Sequence, residues 1–342
     1  MKNVTLGSTG ITVPQNAFGA LPVQRRDMDA ATAILRRAYE GGMRFFDTAR
    51  AYSDSEEKLG EAFDGMRDKI FIATKTMANT PEKFWQDLET SLKNLRTDYI
   101  DLYQFHCVNQ VFAPGDGTGM YECMLEAKAQ GKIRHIGVTA HKIQVAFDCV
   151  ESGLYETMQF PFSYLSSDKE IALVNACREK NMGFIAMKGL AGGLINNSKA
   201  AMAYMAQFDN VLPIWGVQHM EELEEWLAFF DKTPEMDAEI SAFIENEKKE
   251  LSGDFCRGCG YCMPCPSGIM INQCARISLM LRRAPSDAWL SDFWQAEMKK
   301  VEDCLECGAC ISKCPYELNT PALLKKNYED YKKVLAGQVS VK

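Results

Sequence analysis

The chain has no uninterrupted apolar run approaching the ~18 residues that a membrane span requires. Its opening segment, MKNVTLGSTG, contains no apolar core of the kind that makes a secretory signal. A cytoplasmic protein without a membrane partner is therefore expected. Positive charge is not in excess either: 38 Lys and Arg against 46 Asp and Glu leave a net charge of −8. That excludes a broad surface for the phosphates of a nucleic acid. Disorder is excluded by the balance of 46% apolar and 25% charged residues. At ~150 residues per domain, 342 residues make about two domains, with ample chain for a core. The abnormal number is thirteen cysteines.

From Asn16 to about Phe230, short β-rich apolar runs alternate with longer amphipathic ones. The runs are QNAFG, RFFDTA, KIFIATK, YIDLYQFH, IRHIGVT, ETMQF, GFIAMK and VLPI. Continuous apolar strands of this kind are buried on both faces, as in parallel sheets. Stretches such as ATAILRRAYEGG and PEKFWQDLETSLKNL have helical spacing. Eight strand–helix units in ~215 residues predict an α/β fold, a closed (β/α)8 TIM barrel. An open doubly wound sheet is the alternative, but no G-x-G-x-x-G follows the first strand. VTLGSTGITVP reads as a short hairpin ahead of the barrel. The barrel is expected over 1–232 and a solvated connecting helix over 233–251. A smaller, mainly helical cysteine domain is expected over 252–342. The closing KKNYEDYKK reads as a solvated helix end.

In such a barrel the active site is built at the C-terminal ends of the strands. Asp47, Lys75 and His106 stand at three such ends, and Tyr52 lies in the loop after Asp47. Taken singly, each has a structural explanation as a cap or a hydrogen-bonded core residue. Together, FDTARAY-S-D-SE-x-x-LG-x-A at 46–62, then ATK and DLYQFH, resemble the aldo–keto reductases. The likeness runs from the hairpin to about Trp226. It implies a catalytic tetrad of Asp47, Tyr52, Lys75 and His106. Tyr52 would donate a proton to a carbonyl oxygen, with Lys75 lowering its pKa, Asp47 holding Lys75, and His106 orienting the substrate.

The same resemblance implies an NAD(H) or NADP(H) site. Gly19, Ala20, Leu21 and Asp47 would border it, and Thr139, Ala140 and Gln159 would hold the nicotinamide carboxamide. Met187 takes the place of a stacking aromatic. Lys188, Gly189, Leu190 and Gly192 would form the loop over the pyrophosphate, where glycine allows close backbone approach. Gly216, Gln218 and Glu222 mark the adenosine end. Glu221, Glu222, Glu224 and Glu225 follow, with no cation in view to pair a 2′-phosphate, so NADH is expected over NADPH. Acid in the first turn of a helix also complements its dipole.

Eight cysteines fall into two runs. Cys304-x2-Cys307-x2-Cys310-x3-Cys314-Pro315 has the spacing of a bacterial ferredoxin. Cys256-x2-Cys259-x2-Cys262-x2-Cys265-Pro266 is one residue shorter in its last gap. Two [4Fe–4S] clusters in a dicluster ferredoxin-like domain are expected, with structural zinc as the alternative. Ligation is either direct or crossed, with Cys265 serving the second cluster and Cys314 the first. Cys107 borders the proposed mouth, where a packing and a reactive role remain equally open. Cys123, Cys149, Cys177 and Cys274 read as buried apolar residues.

Two functions follow. The first is a nicotinamide-dependent reductase of a small carbonyl, or dehydrogenase of an alcohol, whose clusters exchange electrons with a ferredoxin or flavoprotein partner or brace the fold. The second is an electron-transfer protein whose barrel serves a flavin or a docked partner. The substrate is not legible, because specificity in barrels lies in the loops.

Overall fold

The computed structural model describes residues 1–251, 255–283, 286–314 and 316–341. Pro315, the proline of the second cysteine run, lies outside the described residues. The chain divides into two compact units, residues 1–189 with 197–244, and 190–196 with 245–342.

The first unit opens with a hairpin of β1 (Asn3–Thr5) and β2 (Thr12–Pro14), in which Val4 faces Val13. The barrel strands are β3 (Ala17–Gly19), β4 (Phe45–Asp47), β5 (Phe71–Thr76) and β6 (Ile100–Phe105), then β7 (Ile133–Thr139), β8 (Thr157–Pro161), β9 (Gly183–Met187) and β10 (Val211–Gly216). Each pairs in parallel with the next, and β10 closes onto β3. The expected barrel is thus present, with every strand on its expected run. Val4, Leu6, Ile11 and Val13 pack against Phe45, Leu102, Ile185 and Leu212. The hairpin therefore plugs the N-terminal end of the barrel with apolar side chains. The polar end is the other one.

Helices α1 (Met28–Glu40), α2 (Ser55–Ala62), α3 (Pro81–Asn94), α4 (Met120–Ala129), α5 (Ile143–Ser152), α6 (Asp168–Glu179) and α7 (Ser198–Met205) connect the strands, and α8 (Met220–Asp231) follows β10. The Asp27 carboxylate caps α1 by accepting the N–H groups of Asp29 and Ala30, at 3.0 and 3.1 Å. Ala31, Ile34, Leu35 and Ala38, spaced at helical period, form its buried face.

Helix α9 (Ala238–Glu250) was expected to be solvated, but Ile240, Ile244 and Glu247 on it are buried. Ile240 and Ile244, four residues apart, make one apolar stripe, and Glu247, a turn further on, pairs with Arg283. The second unit continues with α10 (Ile271–Cys274), α11 (Ile277–Arg283), α12 (Ser286–Trp289), α13 (Asp292–Lys299), α14 (Ala309–Ser312) and α15 (Thr320–Leu335). Helix α15 corrects the expectation of a solvated end. Leu323, Leu324, Tyr331 and Val334 belong to the core of this unit. The Asn327 amide donates to the carbonyls of Ala275 and Leu323 at 3.0 and 2.8 Å, and its oxygen accepts from Ser278 N–H at 3.0 Å. Tyr331 donates its hydroxyl to Trp289 O at 2.8 Å. Tyrosine and asparagine can be core residues when their polar ends find partners of this kind.

Candidate active site and cysteine cavity

Asp47 closes β4 and Lys75 lies one residue from the end of β5, both almost wholly buried. Lys75 Nζ donates to the two carboxylate oxygens of Asp47 at 2.7 and 2.8 Å, and to Thr48 O at 2.6 Å. Burial pushes the carboxyl up and the ammonium down, and their mutual attraction opposes both shifts. Nζ lies 5.4 Å from the centre of the Tyr52 ring. The His106 ring meets that of Tyr52 edge-on, with centroids 5.7 Å apart. All four members of the expected tetrad are therefore gathered at one end of the barrel.

The electrostatics differ from expectation at Tyr52. Burial, then the charges of Asp47 and Cys107, raise its pKa above the ordinary tyrosine value. Lys75 is spent on Asp47 and Thr48, so the phenol remains a protonated donor. His106 is pushed down to about 3 by burial and by the Lys75 charge. A neutral imidazole results, able to donate one hydrogen bond without carrying charge.

The loop carrying Tyr52 is pinned from both sides. Ser55 donates to Ala20 O at 2.8 Å, and Lys58 to Val23 O at 2.9 Å and to Asp54 at 2.8 Å. Glu56 is fully buried and accepts from Thr74 and Ser91, each at 2.7 Å, and from Arg50. These are the residues of the S-D-SE motif, and their work is to position Tyr52. Gly19, Ala20 and Leu21 lie beside Asp47, since Ala20 N–H donates to Asp47 O at 2.8 Å.

Gln159 is buried, and its amide spans Asp47 Oδ1, at 3.4 Å, and Gln104 Nε2, at 3.0 Å. Thr139 Oγ1 accepts from Cys107 N–H at 2.7 Å, and Ala140 N–H donates to Gln159 O at 3.2 Å. Gln104, unremarked in the sequence, is fully buried on β6 with its Oε1 unpartnered. Gly137 beside it has no room for a side chain, because a Cβ there would lie 2.9 Å from Gln104 Cγ.

Met187 ends β9, half-buried, and Lys188 follows in the left-handed region at φ 58°. Gly189 lies against Trp215, whose ring a Cβ would meet at 2.5 Å. Leu190 and Gly192 fall instead in the second unit, where Gly192 O accepts from the Arg276 guanidinium at 2.6 Å. Gly216 ends β10, and Gln218 follows it, exposed. Glu222 accepts from the N–H groups of Gln218 and His219, at 2.7 and 3.1 Å, which caps α8. Arg26 donates to Gln218 O. A guanidinium thus stands beside Gln218, where the sequence showed no cation.

In the second unit, Cys262, Cys265, Cys304, Cys307 and Cys310 line one cavity with Ile269, Pro321 and Leu324. Cys265 is thus on the same wall as the first three cysteines of the second run. Cys314 interacts electrostatically with Cys256, as Cys259 does. The two runs interleave. Among the described residues, no three His, Cys, Asp or Glu side chains converge closely enough to hold one metal ion. Five cysteine thiols on one cavity are the kind of donor set that an iron–sulfur cluster takes.

The model of the Aldo/keto reductase family matches residues 15–213, more than half of the chain. The chain belongs to the aldo/keto reductase family. A second match, to the 4Fe-4S dicluster domain, covers residues 255–319. Aldo-keto reductase YhdN of Bacillus subtilis is 29% identical over 214 residues, 57% of this chain and 64% of that one. Methylglyoxal reductase YeaE of Escherichia coli is 30% identical over 203 residues, 55% of this chain and 70% of its own. The chain spans between 51% and 64% of the length of the first curated relatives it matches. A solved aldo-keto reductase from Klebsiella pneumoniae, in complex with NADPH, superposes with a TM-score of 0.59 at 24% identity, covering 72% of this chain and 94% of the other. That from Bacillus halodurans gives 0.64 at 22% identity, covering 72% and 96%. These two likenesses establish the fold. No helix among the described residues is long and apolar enough to cross a membrane.

Within this aldo/keto reductase barrel, sequence reasoning missed Gln104 and the Arg26 contact, and quoted Glu56 as part of a motif without its role as a buried anchor. Gln104 carried a signal, since an amide inside an otherwise apolar strand must find an internal partner. Arg26 carried none, its contact being 192 residues away in sequence.

Proposed function

We propose that the barrel reduces a small carbonyl compound to an alcohol, or oxidises the alcohol, with a nicotinamide dinucleotide. The nucleotide, when bound, supplies or accepts the hydride. The observation that carries the proposal is a buried ion pair, Asp47–Lys75, beneath a protonated tyrosine and a neutral imidazole. Negative charge grows on the carbonyl oxygen as the carbonyl is reduced, and a nearby proton donor lowers that barrier. Tyr52 provides the proton, and its raised pKa keeps the proton in place until the oxygen becomes basic. His106 donates a hydrogen bond that orients the carbonyl. Asp47 anchors Lys75, whose charge offsets the phenolate left after transfer.

Gln104 supplies the test of fit. Its Oε1 is a buried acceptor without a partner, and a carboxamide NH2 is a donor that answers it. Thr139, Ala140, Gln159 and Met187 surround the same end of the barrel. Arg26 and Gln218 supply the adenosine end, with Arg26 the partner for a 2′-phosphate.

The proposal extends to two [4Fe–4S] clusters with crossed ligation. Cys256, Cys259, Cys262 and Cys314 would hold one, and Cys265, Cys304, Cys307 and Cys310 the other. Cysteine thiolates hold such clusters four at a time. Electrons would pass singly to a ferredoxin or flavoprotein partner. The barrel over 1–232, the connection 233–251 and the cluster domain 252–342 are the corresponding functional divisions. One preparation tests the reading. Anaerobically purified protein is assayed for bound nucleotide, iron, sulfide, and NADH- or NADPH-dependent reduction of methylglyoxal and a panel of aldehydes and ketones. Nucleotide binding without any turnover across the panel would reject it.

A further inference from the structure

In the second unit, three arginines stand on or next to α11, and their surroundings differ. Arg282 pairs with Asp330 at 2.6 Å, and Arg283 with Glu247 and Glu250 at 2.6 and 3.1 Å. Arg276, immediately before the helix, is the most buried of the three, at 6% exposed. Its partners are neutral. Nε and Nη2 donate to Gln273 Oε1 at 3.2 and 3.0 Å, and Nη1 donates to Gly192 O at 2.6 Å. Among the described residues, no carboxylate forms an ion pair with it. A buried charge is costly unless an opposite charge meets it. The opposite charge belongs to the first cysteine run. A Cβ on Gly258 would lie 2.7 Å from Cζ and Nη1 of Arg276, so the guanidinium rests against the turn between Cys256 and Cys259. Gly258 permits that approach and takes the left-handed conformation there, at φ 68°. Burial lowers the Arg276 pKa, and thiolates at Cys256 and Cys259 oppose the shift. Cys262 in turn is within electrostatic reach of Cys256 and Cys259, so three thiols of the run share one neighbourhood.

We propose that Arg276 is the counter-charge of an iron–sulfur cluster held by Cys256, Cys259 and Cys262, and that it raises the reduction potential of that cluster. The inference rests on the two-cluster reading above and adds the residue that sets the potential of one of them. It holds whether the fourth ligand is Cys265 or Cys314. A cluster held by thiolates is an anion, and the electron it takes from a ferredoxin or flavoprotein donor adds one more negative charge. No bond forms or breaks, and no proton moves. A fixed cation attracts the more negative state more strongly, so the cluster accepts its electron more readily. Arginine suits the task because it stays charged when buried, and its neutral partners Gln273 and Gly192 leave that charge uncancelled. Gly258 N–H, which donates to Cys256 Sγ at 3.4 Å, acts on the same cluster in the same direction.

The test uses anaerobically purified full-length protein. Iron and sulfide are counted, and each cluster is followed by electron paramagnetic resonance during a potentiometric titration with dithionite. Cys256→Ser identifies the signal of the cluster in question. Arg276→Gln, with iron and sulfide unchanged, should make that cluster at least tenfold harder to reduce, a fall of about 59 mV for one electron. The potential of the other cluster should move less. Arg276→Lys, which keeps the charge, should recover most of the fall. Gln273→Glu is isosteric and sets a carboxylate on the guanidinium, so it should lower the same potential with Arg276 still in place. It decides the matter if Arg276→Gln loses iron. An unchanged potential in Gln273→Glu, or in iron-replete Arg276→Gln, overturns the proposal, as does a fall in Arg276→Lys equal to that in Arg276→Gln. A loaded parent whose potentials ignore these variants rejects the role of Arg276 alone. A parent without iron rejects the cluster reading itself, and the proposal with it.

Discussion

Lys75 places its ammonium 2.7 and 2.8 Å from the two oxygens of Asp47, sealed from water inside the barrel. Among the described residues, neither charge has another opposite partner of comparable closeness. Removing one leaves the other buried and uncompensated, which costs about 3–5 kcal/mol. Asp47→Asn should therefore lower the urea midpoint markedly, and Lys75→Met should do so as well. Combining the two should recover most of the loss, because the stranded charge is gone. Equal stability of Asp47→Asn and the parent protein would show that the pair is not held as described.

Tyr52→Phe removes the proton donor and little else. Loss of general acid catalysis lowers turnover ~10²–10⁴-fold, while nucleotide affinity should stay within about twofold. Full turnover in this variant rejects the tetrad.

The pH dependence follows from the same groups. Reduction needs Tyr52 protonated, the form present below its pKa, and that pKa is raised. His106, at about 3, carries no charge to lose in the neutral range. The kcat/KM for reduction should be flat from about pH 5 to about 9. Alcohol oxidation needs the phenolate and should climb with pH over the same interval. A reduction profile falling near pH 7 would mean that Lys75 does lower the Tyr52 pKa.

The barrel was legible because its strands are buried on both faces. Phe45–Phe46, Phe71–Ile72 and Ile100–Phe105 leave little room for another reading. Asp47, Lys75 and His106 stood out as the polar exceptions at the ends of such strands. Residues whose role is set by distant partners did not. Asn327 and Tyr331 sit among lysines and acids, and their carbonyl partners Ala275 and Trp289 are 52 and 42 residues away. Local charge there suggested solvent, while tertiary packing chose the core. The same limit hid Arg26, whose partner Gln218 is 192 residues away.

Arg26 gives that preference a direct test. Its guanidinium donates to Gln218 O, at the proposed adenosine end, beside a helix whose Glu222 is committed to capping. A 2′-phosphate near this position would pair with Arg26 in a charge-assisted contact of about 1.5–3 kcal/mol. Arg26→Ala should weaken NADPH at least tenfold in a fluorescence titration and leave NADH within about twofold. Equal loss for both nucleotides would place Arg26 in loop structure rather than phosphate recognition.

The final prediction concerns the cysteines. Eight thiols in two interleaved runs match two cubane clusters at four ligands each, so roughly eight iron and eight sulfide per chain are expected. Cys265 lines one cavity with Cys262, Cys304, Cys307 and Cys310, and Cys314 lies near enough to Cys256 for a thiolate on one to be felt by the other. Cys265→Ser should therefore damage the same cluster as Cys304→Ser, and Cys314→Ser the same cluster as Cys256→Ser. Electron paramagnetic resonance of the reduced variants can sort them, since the two proposed clusters would sit in different surroundings and should give distinct signals. Cys274 provides the control. It is buried in the core of the second unit, with its Sγ 3.9 Å from Glu297 O, and lines no part of the cavity. Replacing it with alanine should leave the iron count unchanged. If Cys265→Ser instead pairs with Cys256→Ser in its spectrum, ligation runs along each sequence run and the crossed assignment fails. Four iron in the intact chain would reject two clusters altogether and point to the run with the shortened gap, Cys262 to Cys265, as the incomplete site.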